Sequence, residues 1–199
     1  MLDRVRSHYE GALAEHGASA RGVGWPDTEG QALRFERLAR VLDGAPGLVR
    51  VADLGCGYGA LFGFLDTRIA GYRGYDVSPA MVAEARRRVR DPRAAFSVGD
   101  AVDEEVDYGF ASGTFNVRLG ADVAEWDGYV RDALRGLWAR CGRGMAFNLM
   151  TTRVDWRSDD LFYADPAEYL TFCQDELSTR VTLQHDYGLY EWTMTVLRP

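Results

Sequence analysis

Three aspartates and a run of glycines are the residues whose types and spacing could do chemistry. Asp53 lies two residues before the segment 55–59, Gly-Cys-Gly-Tyr-Gly, and Asp76 and Asp100 follow further along the chain. Glycines let the backbone approach a ligand closely, and a helix that starts after such a turn presents free N–H groups. Carboxylates accept hydrogen bonds and attract positive charge. The pattern indicates a ligand site, although the glycines alone leave the ligand ambiguous.

One alternative is a dinucleotide site, because Gly55, Gly57 and Ala60 satisfy the G-x-G-x-x-G/A pattern. Three features disfavour it. Asp53 would repel a diphosphate, the glycines repeat as G-x-G-x-G, and the chain ends in a predicted hairpin instead of a second βαβ half. A nicotinamide-dependent oxidoreductase therefore remains only as a disfavoured hypothesis.

The elements that must position these residues alternate between strands and helices. Hydrophobic spacing predicts helices at 1–16, 30–43, 60–65, 79–90, 125–140 and 166–173, and irregular chain at 17–29 and 151–165. Strands are predicted at 48–54, 72–77, 95–98, 106–112 and 144–150, with a C-terminal hairpin at 180–185 and 190–197. This order predicts an α/β fold with a Rossmann-like, doubly wound sheet of seven strands, mostly parallel, in which the hairpin adds an antiparallel strand.

Length and composition limit the class of protein. The chain has 199 residues, and its 23 basic residues are all arginine, against 30 acidic ones, for a net charge of −7. We expect one globular unit over 30–199, preceded by a helical cap or lid over 1–29. The acidic balance argues against a nucleic-acid or membrane partner, and the absence of lysine excludes a lysine base or Schiff base.

The cysteines and the termini suggest a compartment. Cys56, Cys141 and Cys173 are widely spaced with no CxxC, which favours free thiols, and no spacing typical of a metal site is present. No run of apolar residues resembles a signal peptide or a membrane span. We therefore expect a cytoplasmic protein without a metal.

With its motifs in this order, the sequence resembles the class I S-adenosylmethionine-dependent methyltransferases, in particular small bacterial enzymes that act on small molecules. Residues 51–59, Val-Ala-Asp-Leu-Gly-Cys-Gly-Tyr-Gly, resemble their glycine-rich first motif. Asp76 matches their ribose-binding acid, and Asp100-Ala101 matches their adenine-contacting pair. The resemblance implies S-adenosylmethionine as cofactor and S-adenosylhomocysteine as product.

The resemblance also implies a set of cofactor contacts. Asp53 would lie near the cationic methionine end, and two ribose hydroxyls would donate to Asp76, as at the strand-end acid of dinucleotide folds. Val77 and Met81 would pack on the adenine ring. The full predicted set is Asp53, Gly55, Cys56, Gly57, Asp76, Val77, Met81, Asp100, Ala101 and Ser112.

The acceptor site is harder to predict, because only its location at the carboxyl ends of the strands follows from the fold. Residues of the neighbouring loops give candidates for acceptor binding, namely Trp25, Asn116, Arg118, Tyr163 and Tyr187. Candidate proton acceptors for catalysis are Tyr9, His16 and His185. Arginines at the rim (Arg21, Arg118, Arg153 and Arg157) could hold an anionic acceptor by paired hydrogen bonds.

The sequence therefore predicts an enzyme that moves a methyl group to oxygen or nitrogen of a small molecule by in-line displacement. Two other functions stay open. One is a non-catalytic cofactor-binding or scaffolding protein on the same fold, since fold does not settle activity. The other is methylation of a protein substrate. A purely structural role also stays open for each candidate site residue. The main examples are a buried, hydrogen-bonded side chain at Asn148 and capping of a loop by Asn116.

Overall fold

A computed structural model describes all of residues 1–199. Its helices are α1 (Leu2–His16), α2 (Thr28–Ala39), α3 (Ala60–Leu65), α4 (Pro79–Arg88), α5 (Val123–Arg140) and α6 (Pro166–Glu176). Its strands are β1 (Val49–Leu54), β2 (Ile69–Asp76), β3 (Ala94–Val98), β4 (Val106–Ala111), β5 (Cys141–Thr151), β6 (Tyr163–Ala164), β7 (Arg180–Gln184) and β8 (Glu191–Leu197).

The sheet has the order β3-β2-β1-β4-β5-β8-β7, and β6 pairs with the end of β5. All neighbours are parallel except β8, which is antiparallel to both β5 and β7. The predicted Rossmann-like, mostly parallel architecture is confirmed. The strand number is corrected from seven to eight, because β6 spans only two residues and so shows no alternation from which a strand could be predicted.

Most element boundaries agree with the predictions to within three residues, and local chemistry explains them. Ser78 caps α4, accepting from the N–H of Met81 at 3.1 Å, and Pro79 occupies the first position, as predicted. β2 and β5 each start three residues earlier than predicted. The first residues of these two strands include Gly71 and Gly142, and glycine is typical of loops, so the sequence predicts later starts.

Helices cover both faces of the sheet. Buried side chains of α2, α3 and α4 pack on one face, and those of α5 and α6 pack on the other. β1 has a nearly continuous buried run, Val51 to Leu54, which is typical of a central parallel strand. Because β7 runs parallel to β5, the turn of the C-terminal hairpin lies at the same edge as the ends of β1, β2 and β4.

The first 29 residues pack against this edge. Helix α1 contacts α4, and the hydroxyl of Ser78 donates to Glu10 at 3.1 Å. A 3₁₀ turn at Arg21–Val23 then leads into α2, which is capped by Asp27. The N-terminal segment (residues 1–29) therefore lies over the end of the sheet where a ligand would bind.

Candidate active site

A cleft lies at the carboxyl ends of β1, β2, β3 and β4. It is lined mostly by hydrophobic residues, with a few carboxylates among them, which is the composition typical of a small-molecule or cofactor site. Of the predicted site residues, the lining contains Tyr9, Trp25, Asp53, Gly55, Cys56, Gly57, Asp76, Val77, Met81, Asp100 and Ser112.

The glycine turn after β1 is fixed to the end of β2. The N–H groups of Gly55 and Cys56 both donate to the carbonyl of Tyr75, at 2.7 and 3.0 Å. Gly55 has a φ of +75°, and a β-carbon there would lie 2.5 Å from the side chain of Thr114. Only glycine fits this position, because the turn needs a left-handed backbone and a close approach to the segment after β4.

Asp76 closes the same turn from the other side. Its carboxylate accepts from the N–H of Gly57 at 2.8 Å and from the N–H of Ser78 at 2.9 Å. Burial raises the pKa of Asp76, and these two backbone donors act in the opposite direction. Each carboxylate oxygen can accept a second hydrogen bond, so Asp76 can also bind two neighbouring hydroxyls of a ligand.

Asp53 is a buried carboxylate with an incomplete set of partners. One oxygen accepts from the hydroxyl of Tyr72, whereas Oδ1 is buried without a hydrogen-bond partner. Burial raises the pKa of Asp53 to about 7; the Tyr72 hydroxyl opposes this shift and the charge of Asp76 adds to it. A positively charged group in the cleft would stabilise the ionised form and supply the missing partner.

Other lining residues surround these two acids. Ser112 also carries a buried hydroxyl without a partner, at the end of β4. Met81 is buried and Asp100 is exposed, and both line the cleft, whereas Ala101 lies outside the lining. Burial raises the pKa of the Cys56 thiol, so this cysteine is unsuited to act as a nucleophile.

The N-terminal segment forms part of the wall. Tyr9, Val23 and Trp25 line the cleft, and a β-carbon at Gly57 would lie 3.0 Å from Val23. Burial, and then the charge of Asp76, raises the pKa of Tyr9. The neutral phenol is thus favoured, and Tyr9 is better suited to donate a hydrogen bond than to remove a proton.

The two other predicted proton acceptors do not reach the cleft. His16 is exposed at the end of α1, 3.7 Å from Glu15. His185 is exposed just beyond the end of β7, although alternation with Val181 and Leu183 placed it on an apolar face. The regular strand ends at Gln184, so the alternation no longer fixes the direction of the next side chain.

Four predicted acceptor-binding residues are also absent from the lining, because the side chain of each is hydrogen-bonded to other groups of the protein. Asn116 is buried and donates to Glu191 at 3.2 Å. Arg118 donates to the carbonyls of Leu161 and Ala121. The hydroxyl of Tyr163 accepts from the N–H of Ser158, and that of Tyr187 is hydrogen-bonded to Thr193.

Several lining residues with aromatic or polar side chains were not among the predicted site residues. These include Gln31 and Phe35 of α2, Tyr58 of the glycine turn, Thr114 after β4, and Trp126 and Tyr129 of α5. Helical spacing alone assigns such residues to the core. Tyr58 was recognisable, since it lies within the glycine motif itself.

Behind the lining lies a buried cluster of charged and amide side chains. Glu191, at the start of β8, accepts from Arg34 at 2.8 and 2.9 Å and from Asn148 at 2.6 Å. Asn148 is therefore a buried side chain whose hydrogen bonds are made within the protein, which was one of the two interpretations of this residue.

The fold and the cleft together define a class. A mostly parallel sheet whose first three strands each carry an acid at or just after the carboxyl end, facing the cleft, is the architecture of an α/β protein that binds a nucleoside-containing cofactor. No helix of the structure combines the length and the apolar character needed to cross a membrane.

Comparison with known proteins narrows this class to a family. A sequence profile described as "Methyltransferase domain" matches residues 51–144. A Mycobacterium tuberculosis (strain ATCC 25618 / H37Rv) protein with the name "Putative methyltransferase Rv1506c" is 44% identical over 151 residues, which cover 73% of this chain and 91% of that protein. The chain belongs to the class I S-adenosylmethionine-dependent methyltransferases.

Solved structures show the same fold. Magnesium protoporphyrin IX methyltransferase from Synechocystis PCC 6803, with bound S-adenosylhomocysteine, superimposes with a TM-score of 0.75 at 16% identity and full coverage of both chains. CalS10, an amino pentose methyltransferase from Micromonospora echinaspora, gives a TM-score of 0.61 at 17% identity, covering 94% of this chain and 96% of that one.

Proposed function

We propose that this methyltransferase transfers the methyl group of S-adenosylmethionine to a small molecule bound in the cleft between the glycine turn and the N-terminal segment. The observation that carries the proposal is the unpartnered Oδ1 of Asp53 beside that turn. A buried carboxylate with a free oxygen needs a donor, and the cofactor's methionine ammonium is a suitable one. The two solved relatives compared above act on a tetrapyrrole and an amino sugar, which supports a small acceptor.

The cofactor-binding roles follow from the positions of the acids. Asp53 would accept from the ammonium, Asp76 from the ribose hydroxyls and Asp100 from the adenine amino group. Val77 and Met81 line the same cleft as Asp76, where they could pack on the adenine ring. When bound, the cofactor supplies an activated methyl group on a sulfonium, so the chain's own task is to align the acceptor and to exclude water.

The charge of the lining indicates what kind of acceptor fits. No arginine or histidine lines the cleft, whereas Asp53, Asp76 and Asp100 do. Arg21 instead donates to the carbonyl of Pro26, and Arg157 to that of Thr152. An anionic acceptor would therefore find no paired cation. The acceptor that the cleft suits best is neutral or positively charged.

The same lining bears on the chemistry of transfer. Tyr9 has a raised pKa and the acids are assigned to the cofactor, so no side chain is well placed to deprotonate an alcohol. An amine nitrogen that is unprotonated at the working pH avoids this need, because its lone pair is free before the transfer. Its lone pair bonds to the methyl carbon, the carbon–sulfur bond breaks with both electrons going to sulfur, and the nitrogen then releases a proton to water. We therefore favour nitrogen over oxygen as the methylated atom.

Two measurements test this function. Calorimetry should show binding of S-adenosylhomocysteine but not of NAD; the absence of S-adenosylhomocysteine binding would contradict the proposal. Mass spectrometry should then detect S-adenosylhomocysteine formed from S-adenosylmethionine with a set of small aromatic or sugar amines. Turnover only with the matching carboxylic acids would reverse the assignment of acceptor charge, and methyl transfer only to protein would reject a small acceptor.

A further inference from the structure

One wall of the cleft is held by a closed series of contacts that begins and ends at Trp25. The guanidinium of Arg34 lies over the indole ring, with its central carbon 3.7 Å from the ring centroid. Its Nε and Nη2 donate to the two oxygens of Glu191, at 2.8 and 2.9 Å. This bidentate ion pair joins α2 to β8 and places a cation on the face of Trp25.

The series returns to Trp25 through β5 and the turn after β4. Asn148 donates from Nδ2 to Glu191 at 2.6 Å, and its Oδ1 accepts from the N–H of Gly113 at 2.8 Å. Gly113 in turn touches the indole, since a β-carbon there would lie 2.2 Å from Cζ2 of Trp25. Its φ of +64° also favours glycine. Every link from Trp25 back to Trp25 is thus a direct contact.

The charged and amide members of this series are buried, whereas Trp25, which lines the cleft, is partly exposed. Arg34, Glu191 and Asn148 are 6%, 2% and 0% exposed. Removing one partner of such a network leaves a charge or an amide buried without a partner, so the contacts are expected to form or fail together. Ser112 and Thr114, which flank Gly113 in the chain, line the cleft. Thr114 also contacts Gly55 of the glycine turn.

We propose that Arg34, Glu191 and Asn148 are positioning residues that hold Trp25 against Gly113, and that Trp25 thereby closes the N-terminal segment over the cleft. Asn116, which also donates to Glu191, belongs to this positioning cluster and does not bind the acceptor. The contacts do not depend on which ligand the cleft holds, whereas their effect on cofactor affinity rests on the proposed function.

Trypsin offers a direct test, because the chain has no lysine and Arg21 is its one cleavage site between residues 7 and 33. Arg21 is exposed and lies in the segment that Trp25 would anchor. Two variants release the anchor: Trp25→Ala, and the doubly neutral R34Q/E191Q, which leaves no unpaired charge. Trp25→Phe keeps an aromatic face. Arg37→Gln is the matched control, since Arg37 lies on the same helix but pairs with the exposed Asp186.

We expect cleavage after Arg21 to rise by about tenfold in Trp25→Ala and in R34Q/E191Q, because cleavage follows the population of the locally open segment. Trp25→Phe and Arg37→Gln should cleave like the wild type. S-adenosylhomocysteine should protect Arg21 in the wild type and in Trp25→Phe, and should bind more weakly to the two released variants.

Other results would overturn the proposal. Unchanged cleavage after Arg21 in both released variants would show that Trp25 does not anchor the segment. An equal rise at all arginines would show that the cluster serves overall stability alone. If the wild type does not bind S-adenosylhomocysteine, the proposed function fails, but the cleavage rates without ligand still decide whether Trp25 is an anchor.

Discussion

Asp53 and Glu191 are both buried carboxylates, each 2% exposed, but they differ in how many hydrogen-bond partners they have. Glu191 receives two hydrogen bonds from Arg34 and one each from Asn116 and Asn148. Asp53 receives one, from Tyr72, and faces no cation. The difference separates roles: a carboxylate whose partners are complete holds the protein together, whereas one left incomplete at a cleft is available to a ligand.

The largest effect should come from breaking the complete site. Arg34→Gln leaves the Glu191 carboxylate buried without its cation, and the free energy of unfolding should fall by about 3–5 kcal/mol. The double variant R34Q/E191Q should recover most of this loss, because neither charge remains. Urea unfolding of both variants and of E191Q alone measures the coupling. If the double variant is no more stable than Arg34→Gln, the ion pair is not what makes the single change costly.

The incomplete site should respond in the opposite direction. Because the pKa of Asp53 is raised to about 7 in the folded chain, this group's stabilising contribution is present below its unfolded pKa and is lost as the pH rises through 7. Asp53→Asn removes that loss. Its stability relative to wild type should therefore rise by about 3 kcal/mol between pH 5 and pH 8, while its affinity for S-adenosylhomocysteine should fall.

Asp103 provides a matched control for this pH effect. It also accepts a hydrogen bond from a tyrosine, Tyr75, at 2.6 Å, but it is exposed. Asp103→Asn removes the same kind of tyrosine hydrogen bond at an exposed carboxylate, so it measures at both pH values what the substitution itself costs. A constant difference between Asp53→Asn and wild type across the same range would mean that ionising Asp53 is not penalised in the free protein.

How much of this contrast the sequence could predict depends on the distance along the chain. Asp53, Asp76 and the glycines were predicted because one strand–turn–helix segment and the next strand contain them. Arg34 and Glu191 are 157 residues apart in the chain, and no local sequence pattern predicts their contact. A single arginine on a helix is usually solvated, so its burial here depends on tertiary packing that brings β8 beside α2.

The acceptor side was predicted less well for a related reason. Parallel strands fix the edge of the sheet where loops converge, but not the direction of side chains within those loops. Asn116 and Tyr187 do lie near that edge, and both turn inward to satisfy buried partners. The side chains that do reach the cleft, such as Trp126 and Tyr129, come from a helix whose spacing looks like core.

Asp76 allows an intermediate test, since its carboxylate is partly satisfied by Gly57 and Ser78 and partly available. Asp76→Ala should cost about 2 kcal/mol or more in affinity for S-adenosylhomocysteine, roughly 30-fold, because two charge-assisted hydrogen bonds to the ribose are lost. Calorimetry measures this, with thermal unfolding of the same sample to separate the loss of the turn's own contacts. Unchanged affinity would reject the ribose assignment. Asp66→Ala, an exposed acid remote from the cleft, serves as control.

The smallest effect should come from Asp100, which completes the comparison because it is an acid of the cleft that is exposed. At the rim, water can replace a lost hydrogen-bond partner, so Asp100→Ala should weaken binding of S-adenosylhomocysteine by only about 1 kcal/mol, roughly fivefold. Asp100→Asn keeps an acceptor for the adenine amino group and should lose less. Tyr129 reports on the same rim, because burial and the charge of Asp100 raise its pKa to about 12. In Asp100→Ala the pKa of this phenol should be lower, as spectrophotometric titration can show.

If Asp100→Ala costs as much affinity as Asp76→Ala, the rim and not the buried turn dominates binding. Burial would then be a poor guide to which acid of this cleft holds the cofactor.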